Sequence, residues 1–191
     1  MEAWIGSAVV AVVISSAVTV FGWFIALRHE RVRESERRQE RIEDIQTALL
    51  ADIRSSSHRF SETDLDLHLR EIVEKIRASS DYTPFVPREP GSLLWASTAT
   101  EVHILPTEVI DAVVIYYSQL ETVRLFADDL RTERYDTLAT DRKTAMYHDY
   151  ISMAKYLVDL ADEAERVLAH SLGIELPISS LASVPSDPSG A

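Results

Sequence analysis

Histidine is the residue type in this chain that is best suited to bind a metal. The six histidines are His29, His58, His68, His103, His148 and His170. No pair of them forms the His-Glu-x-x-His pattern of zinc proteases, and none lies three residues after a glutamate, as in di-iron bundles. Asp64 and His68 are one helical turn apart and could share a metal, with His58 or His103 as third ligand. Without cysteine the set is weak, so we expect solvated or capping histidines and no cofactor.

Other residue types with catalytic chemistry lack the arrangement that catalysis needs. The chain has no cysteine and no Gly-x-Ser-x-Gly sequence, the common settings of a nucleophile. Gly91 is the only glycine between Gly22 and Gly173, which excludes a glycine-rich loop for phosphates. Adjacent carboxylates such as Asp128 and Asp129 suit a solvated helix surface. The sequence therefore favours a protein that is not an enzyme.

An apolar stretch from Ala3 to Leu27 dominates the N-terminal part of the chain. Its 25 residues include no ionisable side chain. As a helix they would extend about 37 Å, enough to cross a hydrocarbon core of about 30 Å. Trp4 and Trp23 would lie roughly 28 Å apart, one near each interface with the lipid bilayer. A cleaved signal peptide would need a basic start and a shorter apolar core, so we predict a retained anchor.

The flanks of this stretch predict its orientation. No basic side chain precedes it, and six arginines follow it within fourteen residues: Arg28, Arg31, Arg33, Arg37, Arg38 and Arg41. Because cytoplasmic flanks carry the excess of positive charge, we predict a single-pass protein of the cell membrane. Its N-terminus would be outside and its C-terminal domain cytoplasmic.

Small residues recur every four positions within the predicted span, at Ser7, Ala11, Ser15 and Thr19. Such a stripe lets two membrane helices approach closely, so it favours a homo-oligomer formed through the anchor. Small residues are also common in such segments, and a chance stripe is the alternative interpretation.

Charge is distributed unevenly along the chain, whose net charge is −12. Residues 42–191 carry 13 basic and 26 acidic side chains. A domain this acidic repels phosphate backbones, so we expect no nucleic-acid partner.

Apolar spacing after the anchor predicts helices. Ile42, Ile45, Leu49 and Ile53 share one face, and the serines at 55–57 should weaken that helix. A second helix is predicted over 62–78, capped by Ser61 or Thr63. A short helix over 92–102 should precede a strong helix that starts at Pro106 and ends near Thr132. The last helix should run from Thr140 or Asp141 to Leu172 and end at Gly173, forming an αα-hairpin with the helix before it.

A proline-rich loop, residues 79–92, connects the second and third of these helices. It contains Tyr82 and Phe85, and Trp95 follows it closely. Because these residues are apolar, the segment either packs across the bundle or forms a docking surface for a protein partner.

These elements together predict an all-α protein. One transmembrane helix continues into a stalk, and a cytoplasmic bundle of three or four helices follows, with a long C-terminal αα-hairpin. The predicted regions are an anchor at 1–27, a juxtamembrane stalk helix at 28–57, a helical bundle at 58–174 and a disordered tail at 175–191.

Two motifs resemble small, uncharacterised single-pass membrane proteins of bacteria and their phages. The first is the helix end Ala48-Leu49-Leu50-Ala51-Asp52-Ile53. The second is the step from Leu105-Pro106 into a helix with Tyr116-Tyr117 and Leu120. The resemblance covers about half the chain and implies the architecture, with no known activity.

The leading functional hypothesis is a membrane-anchored, non-enzymatic interaction or scaffold module with an unknown protein partner. One alternative is a membrane-tethered metal-dependent enzyme that uses Asp64 and His68. Another is a membrane effector encoded by a phage or mobile element.

Overall fold

A computed structural model describes the backbone of residues 3–88 and 91–175, and side chains from Glu30 onward with the exception of Val32. The chain divides into two compact units, residues 1–44 and residues 45–191. The described residues contain helices and no strand, which confirms the predicted all-α class. The helices are α1 (Ala3–Ser61), α2 (Leu65–Ala78), α3 (Leu93–Thr98), a 3₁₀ turn (Val102–Ile104), α4 (Thr107–Asp129), α5 (Glu133–Asp136) and α6 (Thr140–Ser171).

Membrane insertion stays a prediction. Among the residues that the structure describes, no helix combines the length and the apolar composition that a membrane span requires. The predicted anchor at 1–27 lies outside the described side chains. So do the residues predicted for anchoring and self-association at Trp4, Trp23, Arg28, Ser7, Ala11, Ser15 and Thr19. The predicted anchoring residue Arg31 is described, and it is exposed.

The described side chains of the first unit are solvated. Between Glu30 and Asp44 they are exposed, apart from the half-buried Ile42. Gln39 donates a hydrogen bond to Glu43 one turn later, at 3.0 Å. This part of α1 therefore has a solvated surface, and its role as a juxtamembrane stalk stays a prediction.

In the second unit, α6 is the helix along which α1 and α2 are aligned. Four contacts connect them to α6 in steadily reversed order: Gln46 with Ser171, Arg54 with Glu165, Asp66 with Lys155, and His68 with Tyr147. Ser80, just after α2, continues the order with Lys143. The section of α1 from Ile45 and the whole of α2 therefore both run antiparallel to α6, and they lie end to end along it. Helix α4 also packs against α6, and the side-chain amide of Gln119 donates to the carbonyl of Met153 at 3.2 Å.

Helix α1 extends past the serines that were expected to weaken it. Ser56 donates to the carbonyl of Asp52 at 2.7 Å, and Ser57 to the carbonyl of Arg54 at 3.5 Å. Ser61 bonds to the carbonyl of His58 at 3.0 Å. These hydroxyls bond to carbonyls of their own helix, and α1 ends only at Ser61.

The caps of α2 and α6 differ in how well they were predicted. Asp64 caps α2, because its carboxylate accepts from the backbone of Leu67 at 2.9 Å, so the prediction of Ser61 or Thr63 was wrong. Gly173 caps α6 as predicted, with a φ of +67°. The amide of Ile174 bonds to the carbonyl of Ala169 at 2.9 Å, which completes a Schellman motif.

The core of the second unit draws on every long helix. Its completely buried apolar residues are Leu49, Ile53, Ile76, Val109, Val113, Tyr116, Val123, Leu130, Ala154, Leu157, Ala164 and Leu168. Ala154 and Ala164 are small, completely buried residues of α6, which suits close approach of a neighbouring helix. Because Leu49 and Ile53 belong to this core, the compact unit starts at Ile45, earlier than the bundle boundary predicted at His58.

Candidate functional site

The junction of α1 and α2 leaves a cavity of about 320 Å³ over the middle of α6. We name it the junction cavity. It exists because two helices lie end to end along α6 and the turn at 62–64 does not fill the gap between them. Its lining comes from the junction (Arg59, Phe60, Thr63, Leu65 and His68), the proline loop (Phe85, Val86 and Pro87) and α6 (Tyr147, Tyr150 and Ile151).

One polar pair lies in the lining of this cavity. Nε2 of His68 and the hydroxyl of Tyr147 are 2.9 Å apart, within hydrogen-bond distance. Tyr147 is only 1 % exposed, and burial raises the pKa of its hydroxyl well above the usual range, with the neighbouring Tyr150 adding to the effect. At neutral pH Tyr147 is therefore a neutral phenol bonded to an imidazole.

Acidic side chains of the junction have partners outside the cavity. Glu62 pairs with His58 at 3.9 Å, and Asp64 caps α2. Asp66 forms an ion pair with Lys155, which lowers the pKa of the Asp66 carboxyl. No carboxylate is among the described residues that line the cavity.

The proline loop is fixed to the bundle at several points. The buried ammonium of Lys143 donates to the carbonyl of Ser80 at 2.8 Å. Thr83 donates to Asp136 at 2.6 Å, and Arg131 donates to the carbonyl of Val86 at 3.2 Å. The loop therefore packs across the bundle, which is one of the two arrangements that the sequence allowed.

Within that fixed loop, Phe85 alone of the predicted docking residues points mainly to solvent. It is 86 % exposed, whereas its neighbours Pro84 and Val86 are buried and Tyr82 is half-buried. Trp95 is half-buried and stacks on Tyr117, with ring centroids 4.4 Å apart and planes 9° from parallel.

A second polar cluster connects α1 to α4 and to the N-terminus of α3. Oδ2 of Asp52 accepts from the hydroxyls of Tyr117 at 2.6 Å and Ser92 at 2.7 Å. Ser92 also caps α3 by accepting from the backbone of Trp95 at 2.8 Å. Burial, with the hydrogen bond to Asp52, raises the pKa of Tyr117 above its usual range. Asp52 is half-buried and lies three residues after Leu49, on the face of α1 that points to the bundle.

Comparison with protein-family models, curated proteins and solved structures gave no match to this chain. The resemblance noted in the sequence therefore stays a prediction.

The residues considered for a metal have other partners. Asp64 caps α2 and His68 bonds to Tyr147. Nδ1 of His103 lies 3.0 Å from the carbonyl of Thr100 in its own turn. Across the described part of the chain, no group of three histidines, aspartates or glutamates is arranged to hold a metal ion. The geometry therefore offers no support for the metal-dependent alternative.

Proposed function

We propose that this chain is a membrane-anchored, non-enzymatic interaction module. The apolar stretch from Ala3 to Leu27 holds it in the cell membrane, and the domain that follows the basic flank is cytoplasmic. The bundle presents the proline loop to a protein partner. The observation that carries the docking role is the exposure of Phe85 on a loop that is otherwise fixed.

An exposed phenylalanine on a fixed loop is suited to recognition for an energetic reason. A mobile loop loses conformational freedom on binding, at a cost of about 0.5–1.5 kcal/mol for each side chain that becomes ordered. The bonds from Lys143, Thr83 and Arg131 hold this loop before any partner arrives. Phe85 can therefore bury its ring in a partner with little further ordering, as hot-spot residues do.

A second exposed apolar residue follows on the same connection between α2 and α4. Leu93, the first residue of α3, is 87 % exposed. Its helix is held by the Ser92 cap and by Asp52, so it too is positioned in advance. Two large apolar side chains on fixed backbone extend the proposed docking surface.

The partner is tested by photocrosslinking in native membranes. A photoreactive residue replaces Phe85 in one variant and Leu125 in a matched control, since Leu125 is 54 % exposed and belongs to α4 and not to the loop. We expect one dominant foreign protein to be captured at position 85 and not at 125, and Phe85→Ala to weaken its co-purification about tenfold. Self-crosslinks alone, or the same products at both positions, would contradict the docking role.

The proposed orientation in the membrane, with the C-terminal domain in the cytoplasm, has a separate test. A cysteine introduced as Ser186→Cys would be the single thiol of the chain. We expect an impermeant thiol reagent to leave it unlabelled in intact cells and to label it after permeabilisation. Labelling in intact cells would reverse the proposed topology.

A further inference from the structure

The junction cavity has the size of a small-molecule site. Its volume of about 320 Å³ is at the lower end of ligand pockets. It is also roughly twice the volume of about 150 Å³ that holds one benzene molecule in an engineered cavity. The cavity is therefore large enough for a molecule of about two fused rings.

Side chains with aromatic rings form an unusually large part of the cavity lining. Phenylalanine, tryptophan and tyrosine make up 8 % of the whole chain. They supply four of the eleven described residues that line the cavity: Phe60, Phe85, Tyr147 and Tyr150. Phe60, Tyr147 and Tyr150 are each at most 7 % exposed, so the bundle holds these rings in place. A wall rich in rings favours an aromatic ligand, because aromatic pairs gain more free energy than their buried area alone provides.

The polar side chains of the lining do not require a charged ligand. His68 and Tyr147 are bonded to each other, and burial raises the pKa of Tyr147, so its hydroxyl is protonated at neutral pH. Arg59 is exposed to solvent and already has an interaction partner. Within the described part of the chain, the one buried side-chain polar atom without a hydrogen-bond partner is the Thr144 hydroxyl, and Thr144 is not in the lining. An uncharged molecule therefore suits this cavity, because a charged one would leave water without a free counter-charge.

We propose that the junction cavity binds a small, uncharged aromatic molecule of about two fused rings, which packs against Phe60, Tyr150 and Ile151. This binding goes beyond the docking role of the proline loop and does not depend on it. The binding can fail its test while position 85 still crosslinks to a protein partner, and the reverse also holds.

The test uses the full chain in lipid nanodiscs and azidonaphthalene, an uncharged two-ring compound that attaches covalently to protein on irradiation. Mass spectrometry of peptides locates the adducts, which we expect on lining residues of the α1–α2 junction and of α6. Adducts only outside the cavity would overturn the proposal.

Competition against this label tests the chemical class of the ligand. Naphthol should compete at about tenfold lower free concentration than naphthoate, which has the same rings and a negative charge. Decahydronaphthol, whose two rings are saturated, should also compete more weakly than naphthol, because it lacks the aromatic contacts. Equal competition by naphthol and either of the other two compounds would contradict the proposed class.

Two pairs of variants separate the cavity from general effects on folding, and circular dichroism shows which variants are folded. Leu65→Trp fills the cavity, whereas Leu67→Trp places the same ring at a residue of α2 that is 47 % exposed and outside the lining. Thr63→Trp narrows the cavity from the exposed turn, and Glu62→Trp, outside the described lining, is its control. We expect the first of each pair to lower labelling about tenfold and the second to leave it unchanged. Equal labelling within either pair of folded variants would refute the assignment.

Discussion

At the scale of single residues, buried and half-buried polar groups join helices that are distant in sequence. Asp52 on α1 accepts from Tyr117 on α4, and Lys143 on α6 reaches the carbonyl of Ser80 after α2. A buried ammonium without its acceptor would be costly, so the Lys143 bond specifies where the chain leaves α2. The ring of Tyr135 lies beneath the same ammonium, 6.0 Å from it.

The burial of Tyr135 predicts that the folded chain loses stability at alkaline pH. It is 1 % exposed, and its hydroxyl donates to the carbonyl of Lys143 at 3.2 Å. Burial, then the charges of Asp136 and Tyr82, raise the pKa of Tyr135 from 10.0 to about 12. Between these values the unfolded chain releases a proton that the folded chain retains. The stability that the folded chain gains from the raised pKa of Tyr135 is therefore complete below pH 10, and it is lost as the pH rises towards 12.

We expect Tyr135→Phe to make the alkaline loss of stability shallower, because phenylalanine has no proton to release. The urea midpoint of each protein, followed by circular dichroism across this pH range, measures the effect. The same comparison below pH 9 is the control, where the ionisation of Tyr135 contributes nothing. Parallel slopes for the two proteins above pH 10 would show that this tyrosine is not the source.

At the scale of elements, the ends of α1 and α2 create the junction cavity. Helix α1 persists to Ser61, and α2 starts only after Asp64. Three residues, at 62–64, are left between the two helices. They turn the chain without filling the space between the two helix ends, and the cavity follows from that short interruption.

The cap of α2 by Asp64 gives a prediction about stability. Asp64→Ala should lower the free energy of unfolding by about 1 kcal/mol, because the Leu67 amide loses its acceptor. Asp64→Asn should retain that stability, since asparagine caps helices as well as aspartate does. Ser61→Ala is the control, because the Ser61 hydroxyl bonds within α1 and does not cap α2. Urea unfolding measures all three variants.

The same variants test the metal alternative for Asp64 and His68. If Asp64 is a metal ligand, Asp64→Asn should lose bound metal while keeping its cap. Metal analysis of the purified chain and of this variant measures the difference. Stoichiometric metal that disappears in Asp64→Asn would favour the enzyme reading over the interaction module.

At the scale of the whole molecule, the second unit has its own core and needs the end of α1 to complete it. Ile45, Leu49, Leu50 and Ile53 are all at most 8 % exposed. Burying each side chain of this kind is worth about 1.5–3 kcal/mol, whereas a domain is stable by only about 5–15 kcal/mol in total. The four residues therefore decide whether the bundle is stable.

We expect a fragment of residues 45–175 to unfold cooperatively and a fragment of residues 58–175 to lack a cooperative transition. The second begins at the boundary that the sequence predicted, and it omits these four core residues. Circular dichroism during urea titration compares the two fragments. A cooperative transition in the shorter fragment would mean that α1 is dispensable for the bundle.

The sequence by itself determined the local features of this protein. The 3.6-residue spacing of apolar side chains predicted α2, α4 and α6, because that periodicity follows from helix geometry alone. Gly173 predicted the end of α6, since a left-handed residue favours glycine. Composition likewise determined the acidic charge and the absence of cysteine.

The tertiary structure decided which side chains meet. His68 and Tyr147 are 79 positions apart, and Asp52 and Tyr117 are 65 apart, so no local pattern encodes these contacts. The exposure of Phe85 likewise depends on where α6 and the turn after α4 hold its loop. The junction cavity is also a feature that only the tertiary structure decided. It is the space left when two helices align end to end along a third, and such a space exists only after packing.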